Sequence, residues 1–63
     1  MTPCRALNII RKRGNTLDEI RILLGKSGVK TSVPTLWRIA EIKNYPASYR
    51  LASKIIQLEE STR

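Results

Sequence analysis

Apolar residues recur along this chain at helical spacing, and helix breakers divide it into four segments, so the pattern predicts four short helices and no strand of useful length. Thr2-Pro3 opens the first helix, with Thr2 as cap and Pro3 in the first turn, where its missing N–H costs nothing. Ala6, Leu7 and Ile10 fall on one face, and Gly14-Asn15 ends the helix. Thr16-Leu17-Asp18-Glu19 fits a capping box that starts the second helix. Its stripe is Leu17, Ile20 and Leu24, supported by Leu23, and Gly25 is the expected stop. Ile22 lies off that stripe and either meets another helix or is exposed.

Residues 25–31, with two glycines and two lysines, read as a connection. Ser32 can cap a third helix that holds Pro34 in its first turn. Leu36, Ile39 and Ala40 form its inward face, Thr35 and Arg38 point elsewhere, and it fades near Ile42. Lys43-Asn44-Tyr45-Pro46 is a turn, because the residue before a proline avoids helical geometry. From Pro46 a fourth helix carries Leu51, Ile55 and Leu58, flanked by Ala52 and Ile56, and residues 61–63 are expected to fray. The fold class expected is all-α: a small bundle of about four short helices around one thin core, with residues 1–63 as a single domain.

A chain of 63 residues gains little stability from its core, and common staples are lacking. Cys4 is the only cysteine, so no internal disulfide forms, and the absence of histidine argues against zinc. No cofactor is expected, and a partner chain or DNA is the more plausible source of added stability. Without a histidine to activate it, Cys4 reads as a half-buried helix residue rather than a nucleophile. With only five carboxylates, no phosphate-binding glycine loop and no nucleophile–base pair, the chain does not read as an enzyme. No stretch approaches the ~20 apolar residues of a membrane span. The N-terminal segment lacks the apolar core of a secretory signal, and a lone thiol suits a reducing interior, so a cytoplasmic location is expected.

Charge sharpens the picture. Twelve Lys and Arg against five Asp and Glu give a net +7 and a pI near 10.4, which points to a polyanion as partner. Between Ile20 and Lys54 only Glu41 is acidic, against Arg21, Lys26, Lys30, Arg38, Lys43, Arg50 and Lys54. Solubility alone requires neither one sign nor this segregation. RNA remains open to any basic domain, but single-strand readers need stacking platforms, and the aromatic residues here are Trp37, Tyr45 and Tyr49 alone.

Two short helices joined by a glycine-bearing turn, the second opening on small hydroxylated residues, match a helix-turn-helix. The leading end of such a second helix enters the major groove, where small side chains allow close approach and its free N–H groups favour phosphate. Lys30, Thr31, Ser32, Val33, Pro34 and Thr35 would arrive first, and Arg38 can reach a guanine edge or a phosphate. Thr35 and Arg38 are the best candidates for base contacts, Lys30 and Ser32 for phosphate. Trp37 is either a partly buried anchor or a contact at the groove edge. Lys43, Asn44 and Tyr45 follow the helix and can touch phosphates; turn chemistry explains Asn44 equally, and packing explains Tyr45 equally. For Arg11, Lys12 and Arg13 a solvated helix end is preferred to a backbone clamp.

Thr35-Leu36-Trp37-Arg38-Ile39 resembles the recognition-helix stretch of Cro-type and lambda-repressor-like helix-turn-helix proteins. Gly28-Val29 resembles the Gly-Val that commonly precedes that stretch, and Pro46-Ala47-Ser48-Tyr49-Arg50-Leu51 is similar to the proline-led helix that follows it in small phage and plasmid members. The resemblance runs from about Thr16 to Leu58. It implies a transcriptional regulator of phage or prophage type that binds double-stranded operator DNA, often as a homodimer on a palindrome. Two features depart from the family: Arg21 stands where a small residue is usual, and the turn is several residues long. Either the turn bulges, or the second helix extends toward Lys26-Ser27 and Gly28 ends it. The alternatives to DNA-directed regulation are a protein-interaction module of antitoxin or antirepressor kind and a factor that bends DNA during recombination.

Overall fold

The computed structural model describes residues 1–42 and 44–62. Among these it is all-helical, with α1 over Pro3–Lys12, α2 over Leu17–Lys26, α3 over Val33–Glu41 and α4 over Tyr49–Ser61, and no strand.

Each helix begins at a hydroxyl cap. Thr2 Oγ1 accepts from Arg5 N at 3.2 Å, and Thr16 Oγ1 from Glu19 N at 3.2 Å. Ser32 Oγ accepts from Thr35 N at 3.3 Å, and Ser48 Oγ from Leu51 N at 3.2 Å. The side-chain oxygen in each case satisfies an N–H that the helix cannot. At Thr16 the capping box is complete, since Glu19 Oε1 accepts from Thr16 N at 3.1 Å.

Two boundaries differ from the first sequence expectation, one of them in favour of the open alternative in which the second helix extends toward Lys26-Ser27 and Gly28 ends it. Gly25 does not stop α2. The helix runs to Lys26, and Gly28, at φ +90°, turns the chain out of it. Gly28 N donates to Gly25 O at 3.1 Å and Val29 N to Leu24 O at 3.0 Å, while Leu24 and Val29 are both buried. This is a Schellman closure with its apolar contact, and it requires the left-handed conformation at position 28, not at 25. The connection to α3 is thus residues 27–32. The second difference is α4, which starts at Tyr49, not Pro46: Ser48 supplies the cap, and residues 45–47 are non-helical.

The core is built from Ala6, Leu7 and Ile10 of α1, Ile20 and Leu24 of α2, Val29 of the connection, Leu36, Ile39 and Ala40 of α3, and Leu51 and Ile55 of α4. Helix α1 packs against both α3 and α4, and α2 packs chiefly against α3. Arg21 turns its guanidinium to Asp18 at 2.9 Å, leaving Ile20 and Leu24 as the buried face of α2. Ile22 is exposed.

The last turn of α4 departs from its apolar stripe. Leu58 is only partly buried, whereas Glu59 is 1% exposed. Arg13, at the end of α1, donates to Glu59 Oε2 at 3.0 Å, to Glu59 O at 3.0 Å and to Thr62 Oγ1 at 2.9 Å. Arg11 pairs with Glu41 at 3.1 Å. The basic end of α1 is therefore not a simple solvated terminus: two of its three cations tie α1 to α4 and to α3. Cys4, half-buried as expected, donates through Sγ to Ala40 O at 3.4 Å, and Asn8 Nδ2 donates to the same carbonyl at 3.2 Å. Side chains of α1 thereby occupy a carbonyl at the end of α3 that the helix leaves unsatisfied. These contacts fix the orientation of α3 on the bundle.

Candidate nucleic-acid interface

Helix α3 presents two faces. Leu36, Ile39 and Ala40 are buried, while Pro34, Trp37, Arg38 and Glu41 form a continuous exposed stripe at spacings of three, one and three. Anchoring of the first set by α1 and α2 leaves the second set outermost. Trp37 is 51% exposed and is not a core anchor.

The leading end is open, with Lys30, Ser32 and Pro34 exposed and Thr31, Val33 and Thr35 half-buried. Its polar groups are less free than the sequence suggests. Ser32 Oγ caps Thr35 N and also lies 2.9 Å from Thr35 Oγ1, so the two hydroxyls bond each other. Thr31 Oγ1 is buried without a hydrogen-bond partner and does not face outward. Pro34 has no N–H. Among the amides of the first turn, Val33 N–H alone lacks a partner within the described residues. The expected row of free N–H groups is thus reduced to one by the cap and the proline that start the helix.

Beyond α3, Asn44 is exposed and takes a left-handed turn conformation, φ 61°, which asparagine tolerates. Tyr45 is half-buried and packs against the core, so its ring serves packing. Lys43 lies outside the described residues.

Electrostatically four of the five carboxylates are engaged, Glu60 near the end of α4 being the exposed exception. Asp18 pairs with Arg21, Glu41 with Arg11 and Glu59 with Arg13, while Glu19 closes the capping box. Among the described residues Arg5, Lys12, Lys26, Lys30, Arg38, Arg50 and Lys54 form no ion pair with a carboxylate. Arg50 Nη2 donates to Gly28 O at 3.2 Å, tying the first turn of α4 to the 27–32 connection, which contains Lys30 and follows directly on Lys26 at the end of α2. The only acid on α3 is Glu41, at its far end, and Arg11 neutralises it.

Compared with protein-family models, with curated proteins and with solved structures, the chain matches none.

Sequence reasoning did not place Arg50 in this group. The signal it had was a basic residue in the fourth segment; its juxtaposition with Gly28 arises only from tertiary packing. Among the described residues, no group of three or more Cys, Asp or Glu is arranged to hold a metal ion, and no helix is long and apolar enough to cross a membrane.

Proposed function

We propose that the chain binds double-stranded DNA sequence-specifically and regulates transcription, with α2, the 27–32 connection and α3 acting as a helix-turn-helix whose α3 lies in the major groove. What carries this reading is the outer face of α3. It is exposed, bears Trp37 and Arg38, follows a connection that holds Lys30 and is bonded by Arg50, neither with a carboxylate partner among the described residues, and its one acid, Glu41, is paired with Arg11. A face of that sign and shape complements a groove lined by phosphates. The resemblance to Cro-type and lambda-repressor-like regulators adds the expectation of an operator palindrome bound by two copies.

Selection of duplexes from a random pool tests the proposal. A recovered motif bound with Kd on the order of 10⁻⁸ M, against roughly 10⁻⁵ M for scrambled duplex, is the expected result. Two-fold symmetry in that motif would add the dimer. Failure to shift any duplex even at ~50 mM salt would end the DNA reading, because counterion release alone gives a basic DNA-binding face measurable affinity.

A further inference from the structure

The polar groups expected to read bases at the leading end of α3 are largely engaged within the protein. The Thr31 hydroxyl is buried, and those of Ser32 and Thr35 bond each other. What the outer face of the helix offers instead is the pyrrolidine of Pro34, the indole of Trp37 and the guanidinium of Arg38. Pro34 and Trp37 stand three residues apart, and Arg38 four from Pro34, so the three are surface neighbours. Two of the three are apolar, and water is a poor environment for a half-exposed indole.

In the major groove the hydrogen-bonding edges of all base pairs are polar, and the one apolar group presented is the C5-methyl of thymine. Resting on the reading of α3 as the groove-entering helix, we infer that Trp37 and Pro34 read thymine methyl groups, so that the preferred duplex has thymine beside the base pair contacted by Arg38. Trp37 is then a specificity-determining residue rather than a scaffold residue. Its exposure supports this directly, since a side chain that contributes little to the core is free to be spent on a ligand. The surrounding cations supply affinity without sequence preference, and the apolar pair supplies discrimination.

The test uses duplexes selected from a random pool, resynthesised with 2′-deoxyuridine replacing thymine one position at a time, a change that removes only the methyl. For the unmodified protein, one or two positions should bind about fourfold more weakly, the worth of one methyl-sized apolar group buried. Trp37→Ala should lose the discrimination between thymine and uracil at one of those positions while keeping its helical circular dichroism. Trp37 is the single tryptophan, so its emission should shift to the blue on the thymine duplex and less on the uracil one. Equal binding of every uracil form, with the selected duplex still preferred over a scrambled one, overturns the inference and leaves DNA recognition standing. Undiminished methyl discrimination by Trp37→Ala overturns it too. Absence of any duplex preference removes both readings together.

Discussion

Arg13 and Arg38 are the same residue type on neighbouring helices, and their surroundings give them opposite duties. Arg13 donates three hydrogen bonds to the end of α4, one of them to a carboxylate that is 1% exposed. The arginine itself remains about a third exposed, 32% at the side chain, so its contribution lies between a surface pair and a sealed one. Arg13→Ala should therefore cost about 2 kcal/mol and lower Tm by roughly 10 °C in a domain this small, without changing salt-dependent DNA affinity. Thermal unfolding followed by circular dichroism checks this. Arg38 has no such partner among the described residues, so Arg38→Ala should leave Tm nearly unchanged. Its effect falls on binding: a loss of about 1–3 kcal/mol on the selected duplex with relaxed preference at one base pair, if it reads guanine. An equal loss on random duplex would make it a phosphate contact instead. Arg38 was already a base-contact candidate at the sequence level, whereas Arg13's duty was not legible there. A glutamate in the last turn of an amphipathic helix reads as exterior, and only the approach of α1 reveals that Glu59 continues the buried row of Leu51 and Ile55.

Helix starts were easier to read than helix ends, and the reason lies in what each requires. A start needs one hydroxyl three residues before an amide, a relation contained within four consecutive positions; Thr2, Thr16 and Ser32 were all recognisable on that basis. Ser48 was passed over because Pro46, two residues earlier, also suits a helix start. An end depends on where the left-handed residue falls, and two glycines three apart offered two answers. The closure at Gly28 prevails because it allows Val29 to pack on Leu24. Opposite effects follow for the two glycines. Gly25 sits inside α2 with nothing near its missing Cβ, so Gly25→Ala should stabilise by about 0.5–1 kcal/mol. Gly28→Ala also meets no steric obstacle but is held at φ +90°, and it should destabilise by about 1 kcal/mol. Urea midpoints for the two variants decide the matter; a loss at position 25 would mean that α2 does not extend past it in solution.

For the molecule as a whole, the net +7 was visible from composition, but not which charges are available. Ion pairing takes Arg11, Arg13 and Arg21 out of the account and leaves seven described cations unpaired, of which Lys26, Lys30 and Arg50 belong to or adjoin the connection into α3. The described chain spans only 23 × 23 × 19 Å, so one copy covers roughly seven base pairs at 3.4 Å each and touches few phosphates. If those three cations each neutralise one phosphate, log affinity should fall with log salt at a slope of roughly −3 per bound copy. Changing any one of Lys26, Lys30 or Arg50 to alanine should make the slope shallower by about 1 and weaken specific and scrambled duplexes alike. Arg21→Ala, which removes a cation already balanced by Asp18 at 2.9 Å, should leave the slope within a few tenths of its original value. Titrations between ~50 and ~200 mM salt measure all four. A slope that responds to Arg21 as strongly as to Lys30 would show that only total charge matters, and the basic approach to α3 would lose its claim to be a binding surface.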